Sequence, residues 1–225
     1  MKRFFSIDAP VIRFLAKVGN LITLSIFWTV CSLPLVTLGA SSTALYRACF
    51  DLREDKGNPV KSFFGSFVRD FKLGTLCWLC IVGACLAVFL FTRLVGALGI
   101  GLLVNLAIAI VFFAAIIIWL TWVCVFPLVA YFDNSLKKTL RNAIFIGVKH
   151  KKQATVSALL AIVPLALFLF SPYLFLVSAG FWFLLFPGVC AYFITCRFAN
   201  IFAEYGKRRE EALVEQEKET NKEEM

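Results

Sequence analysis

The chain has 225 residues, 60% of them hydrophobic and only 16% charged, with a net charge of +9. So few charges cannot cover so much apolar surface in water, which excludes an ordinary soluble domain and leaves an integral membrane protein. Lysine and arginine fall in short segments between apolar runs, the distribution of a membrane topology signal and not of a nucleic-acid-binding face.

In chain order, residues 4–18 come first. Phe4, Ile7, Val11, Phe14, Leu15 and Val18 suit a helix on the membrane surface, which Pro10 interrupts. The first span is predicted from Leu21 to Leu38, since about 20 apolar residues cross a bilayer as helix. It ends at "SLPLVTLGASSTALY", residues 32–46. Pro34 and Gly39 mark the helix exit, and Ser41, Ser42 or Thr43 caps a new helix, too short and too charged to span. "LGA" before Ser41 resembles a signal-peptide cleavage site, but the apolar run is longer than a signal h-region and Asp8 precedes it, so an uncut anchor is expected.

Residues 60–72, "VKSFFGSFVRDFK", set Val60, Phe64, Phe67 and Phe71 at helical spacing beside Phe63, flanked by Lys61, Arg69 and Lys72. This stripe fits a helix in the headgroup layer or one packed against the spans. Spans two and three, Leu73–Phe91 and Leu102–Phe126, are joined by a tight turn, "TRLVGALGIG", which lets Arg93 reach the interface. The third contains Pro127 if it extends towards Phe132.

Residues 133–152 form a second basic amphipathic segment. Asp133, Asn134 or Ser135 is its N-cap; Leu136, Leu140, Ala143, Ile144 and Gly147 form one face and Lys137, Lys138 and Arg141 the other. It reads as an anchor on anionic headgroups or a docking helix for a cytoplasmic partner. Spans four and five, Ala154–Phe170 and Tyr173–Cys196, are separated by Ser171-Pro172, and Pro164 kinks the fourth. The predicted fold is therefore an all-α polytopic bundle of about five transmembrane helices with short amphipathic interfacial helices. Residues 1–206 form one integral membrane domain and 207–225 a charged tail, helical at first and then disordered.

Five spans put the termini on opposite sides. Up to residue 209, sixteen Lys and Arg fall on the side of loops 39–72 and 133–152 and the C-terminus, against five on the other, so the C-terminus is expected in the cytoplasm. A tilted or re-entrant first segment would instead place both ends together.

Chemistry-bearing residues are sparse. His150 is the sole histidine and lies among lysines. Cys77 and Cys80 have CxxC spacing but sit within a span, where cysteine packs as a small apolar residue. "GALGIG" lacks the flanking strand and the Lys-Ser/Thr of a phosphate loop. The expectation is no enzyme, no catalytic or metal-binding residue and no cofactor.

Three pieces, "FWTVCSLPLVTLGASSTALY" (27–46), "KSFFGSFVRDFKLGT" (61–75) and "FPLVAYFDNSLKKTLRNAIFIGVKH" (126–150), resemble the YesL-type family of bacterial multi-pass membrane proteins, defined by a domain of unknown function (number 624). Pro34, Gly39, Phe64, Phe67, Phe71, Pro127 and Asp133 are the matched motif positions, of unproven role. The resemblance implies a bacterial cytoplasmic-membrane protein associated with carbohydrate uptake, including importers of the ATP-binding-cassette type. The expected role is an accessory or interaction protein with membrane lipid and a membrane or cytoplasmic protein as partners. The alternative is a transporter or permease-like subunit moving a small solute, although the candidate loop at Ala143 and Gly147 lacks the Glu-Ala-Ala segment by which permeases dock their ATPase.

Overall fold

The computed structural model describes residues 10–98, 101–132 and 134–223. Ten helices cover them: α1 Pro10–Ser32, α2 Leu38–Arg53, α3 Pro59–Arg69, α4 Phe71–Leu98, α5 Gly101–Tyr131, α6 Leu136–Lys149, α7 Lys151–Phe170, α8 Pro172–Val177, α9 Ala179–Leu184 and α10 Phe186–Glu223. A 3₁₀ turn, Leu35–Thr37, links α1 to α2. No strand occurs among the described residues, and four helices are long and apolar enough to cross a membrane: Val11–Ser32, Phe71–Ala97, Val104–Tyr131 and Phe186–Arg208. This is the expected all-α membrane bundle. The fourth predicted span is α7, with Pro164 inside it.

The helix boundaries differ from expectation at both ends of the chain. Pro10 is the first described residue of α1, and from it the helix runs without a break to Ser32. Helix α1 stops at Ser32, ahead of Pro34, whose carbonyl accepts from Thr37 N at 2.8 Å to close the 3₁₀ turn. The fifth predicted span is broken into α8, α9 and the start of α10. Pro187 carries no N–H for the carbonyl of Phe183, and it stands in the first turn of α10 where that loss is tolerated.

The broken backbone is repaired from α1. Thr29 Oγ1 lies 3.0 Å from the Phe183 carbonyl, and buried Ser25 Oγ accepts from Gly188 N at 2.9 Å. Irregular backbone at membrane depth persists only where such groups are satisfied by neighbouring helices. At the other end of α10, the mixed-charge segment expected to lose order stays helical to Glu223, with Glu204 and Arg208 paired one turn apart at 2.6 Å.

Helix α2 departs furthest from expectation. It reads as a helix outside the span, yet it runs through the centre of the bundle, touching α1, α3, α4, α5 and α10. Every residue from Gly39 to Leu45 is buried. The small side chains allow close approach: a Cβ on Gly39 would lie 2.7 Å from Trp78 Cβ and 2.8 Å from the Gly74 carbonyl carbon. Small residues at helix contacts do the same work in membrane interiors generally. Ser41 bonds Ser32 at 2.6 Å, and Trp28 Nε1 donates to Ser42 Oγ at 3.2 Å, so α1 and α2 form a stitched hairpin.

Helix α2 returns alongside α1. Lys17 on α1 pairs with Asp55 after α2 at 3.0 Å, and Arg53 Nη2 donates to Asn200 Oδ1 on α10 at 3.2 Å. Parts of α1 and α10 thus lie beside the end of α2.

Candidate functional site

Two regions gather the polar and aromatic groups, a charged end and an aromatic cavity. At the charged end, Arg47 and Asp51 stand one turn apart on α2, with Arg47 Nε 3.8 Å from Asp51 Oδ1. Arg47 Nη1 donates to the Ala130 carbonyl at 3.1 Å, one of the last carbonyls of α5, which have no intrahelical donor. Asp51 accepts from Ser62 Oγ of α3. One ion pair thus ties α2, α3 and α5.

The loop after α2 turns through Asp55 and Gly57, both at positive φ. Glu54 pairs with Lys56 there and raises the lysine's pKa, by hydrogen bond and by charge. Arg13, Lys17, Asn20, Asp51, Asp55 and Lys56 line a cleft of 610 Å³ carrying both signs of charge.

Helix α6 lies along the same end, packed on α5 through Thr139, Ala143, Ile146 and Gly147. Ile144 is exposed, in place of the burial its spacing suggested, and Phe145 and Val148 are exposed beside it at 56% and 59%. Lys137, Lys138, Arg141 and Lys149 are exposed as well. Lys149 Nζ sits 5.5 Å from the Phe145 ring and 5.4 Å from that of Tyr205, within cation–π range. The outer face of α6 is thus apolar and cationic together.

The second region is a cavity of 270 Å³ inside the bundle, among α1, α2, α5, α7, α8, α9 and α10. Trp28, Tyr46, Trp122, Phe126, Trp182 and Phe186 supply much of its wall, with Pro164 and Pro187 at its edge. Proline in α7 and the α9–α10 break leave backbone that cannot close tightly. The indole nitrogens of two of these tryptophans are occupied: Trp28 by Ser42, and Trp182 by Ser178 at 2.8 Å. Trp122 Nε1 is buried with no hydrogen-bond partner among the described residues, and so are Ser157 Oγ and Thr195 Oγ1. Ser157 lies one turn before the lining residue Ala161 on α7, and Thr195 directly follows the lining residue Ile194.

The family-motif positions do not converge on either region. Pro34 opens the α1–α2 turn and Gly39 makes the crossing with α4. Phe67 and Phe71 continue a run of ring contacts that begins with Phe27 against Phe63 and Phe64. Phe63, outside the predicted stripe, is the fully buried member, whereas Phe64 and Phe71 are 43% and 40% exposed. Pro127 is buried within α5, and Asp133 lies outside the described residues, as do Phe4 and Ile7 of the N-terminal stripe. Cys77 is buried and Cys80 exposed, on one helix. No cluster of three or more metal-binding side chains occurs among the described residues.

The tryptophans were missed in the sequence reading. Their signal was present: Trp28, Trp122 and Trp182 each fall in an apolar run, two of them in segments that also contain proline. No curated protein and no solved structure matches the chain. Residues 21–93, from α1 through most of α4, are similar to a family described as protein of unknown function, DUF624.

Proposed function

We propose that this protein is a non-enzymatic accessory protein of a bacterial cytoplasmic membrane, a full member of the DUF624 family of the YesL type, working beside a carbohydrate uptake system. Its charged end faces the cytoplasm. The observation that supports this reading best is the outer face of α6, where Phe145 and Val148 stand exposed among Lys137, Lys138, Arg141 and Lys149. Such a face seats at the boundary of anionic headgroups, with about 1 kcal/mol for each cation near the surface. It also presents a rigid helix to a partner at that depth.

A photocrosslinking residue at Phe145, introduced into the full chain in its native membrane, tests the reading. A component of a carbohydrate importer should be captured repeatedly, and capture should fall when Lys137, Lys138 and Arg141 are changed together to Glu. Lipid adducts alone would overturn the accessory role.

The permease-like alternative draws on the cavity, which prolines flank on two helices as in discontinuous transport helices. Its lining opposes a sugar as cargo. Each sugar hydroxyl buried without a partner costs about 1–3 kcal/mol, and the wall offers few polar atoms beside Ser42, Tyr46 and the indoles. Flux of sugar into liposomes holding this chain alone would reinstate that alternative.

A further inference from the structure

We propose that the aromatic cavity binds the acyl chain of a membrane lipid, with the indole N–H of Trp122 donating to an ester oxygen of that lipid. This stands apart from the accessory reading, which concerns the face of α6.

Size and lining come first. An apolar cavity of about 150 Å³ stays dry and takes benzene; this one measures 270 Å³. Beside Ser42, Tyr46 and the indoles the wall is apolar, with Leu38, Phe126, Phe175 and Phe186, so a water at Trp122 Nε1 finds few more of the two to four polar partners it needs. A hydrocarbon chain needs none.

Access comes second. The wall on one side consists of α8 and α9, six residues each, separated by Ser178. Phe183 lines the cavity and is 48% exposed, and around it Leu174, Leu176, Val177 and Phe181 are exposed too. At Phe183 the cavity thus lies one side chain from an apolar outer surface, which in a membrane faces acyl chains. A lipid enters sideways without leaving its own solvent.

The third point selects a lipid over a pure hydrocarbon. Trp122 Nε1 is a buried donor without an acceptor among the described residues. Leaving such a donor unmet is unfavourable, and an ester oxygen meets it. Trp28 and Trp182 have their donors occupied by serines of the protein, so Trp122 is the indole left for a ligand.

The test uses the full chain, delipidated in a steroidal detergent that has no linear alkyl chain. The probe is lysophosphatidylglycerol with a 9,10-dibromostearoyl chain, whose bromines quench nearby tryptophan. Expected is saturable quenching at one lipid per chain, reversed by the unbrominated oleoyl analogue. Ala161→Phe, which fills the cavity, should weaken binding at least tenfold while the melting temperature holds or rises. Trp122→Phe, which keeps the ring and removes the N–H, should weaken it about fivefold, read through Trp28 and Trp182.

Quenching that rises without saturation, equally in wild type and both variants, would mean annular lipid only and would overturn the proposal. So would displacement by undecaprenyl phosphate but not by the oleoyl lipid, or displacement by maltose. If Ala161→Phe fails to fold, the Trp122→Phe comparison decides alone: unchanged affinity refutes the assigned donor. Loss of the α6 crosslink leaves this binding unaltered, so the two proposals fail separately.

Discussion

The α2–α4 crossing yields the sharpest quantitative prediction. In Gly39→Ala the new methyl would stand 2.7 Å from Trp78 Cβ and 2.8 Å from the Gly74 carbonyl carbon. Both are backbone or backbone-attached atoms, so no rotamer change relieves the contact, and the helices must part. Overpacking of this kind costs about 1–3 kcal/mol, and rigid neighbours favour the upper end. Alanine returns about 1 kcal/mol of helix propensity over glycine. The net loss is about 2 kcal/mol, which for a chain of this length lowers the melting temperature by about 4–8 °C. Gly83→Ala, on α4, is the internal control, because nothing lies within 4 Å of the position its Cβ would take. It keeps the propensity gain and should melt at or above wild type. Heating the detergent-purified protein with a thiol-reactive dye reads both, since Cys49, Cys77 and Cys124 are buried until unfolding. Equal melting of the two variants would refute the close helix contact.

The cysteines also test the packing without heat: Cys49, Cys77 and Cys124 should resist a membrane-permeant maleimide in the native protein and react once it is unfolded in dodecyl sulfate, and labelling of all three before unfolding would contradict the burial pattern. Ser25→Ala removes the acceptor of Gly188 N at the α9–α10 break, and leaving that buried N–H unmet should cost about 1–3 kcal/mol in the same melting assay, whereas Thr23→Ala, on an exposed turn of α1, should cost far less. Reporter tags at the two termini should report the same side of the membrane, and a Lys17→Cys, Asp55→Cys pair should be joined by a short bis-maleimide whose length replaces the lost side chains, since the native side-chain tips meet at 3.0 Å.

Much of the fold was legible because lipid imposes one strong rule, long unbroken apolar helices, and α4 and α5 obey it along their whole length. The break at Ser171-Pro172 was legible from proline for local backbone reasons, whereas residues 92–98, expected in the turn after the second span, continue α4 to Leu98. The fifth span was misread because hydropathy does not register a single Pro187 whose lost bond a threonine on a distant helix makes good. The aromatic cavity was not legible at all. Trp28, Trp122 and Trp182 lie far apart in the chain, and only the assembled bundle brings them to one space.

Helix α2 shows why hydropathy and burial part company inside a membrane protein. Its serines, threonine, arginine and aspartate would be costly against lipid, so a scale built on transfer to hydrocarbon assigns them to water. Against protein they are satisfied one by one: Ser41 by Ser32, Ser42 by Trp28, Thr43 by the Gly39 carbonyl at 3.0 Å, Arg47 by Ala130, and Asp51 by Ser62. The more apolar helices α1, α4 and α5 stand around it and take the lipid contact. The bundle is thus arranged with a helix of low hydrophobicity at the centre, because packing between helices in lipid comes from close approach and hydrogen bonds and not from a flight from solvent. It follows that the stretch from Gly39 to Leu45, polar as it looks, should tolerate substitution least of all: exchanging Ser42 or Thr43 for leucine makes α2 more hydrophobic and the protein less stable. A reading by hydropathy alone predicts the opposite sign, and the melting assay separates the two.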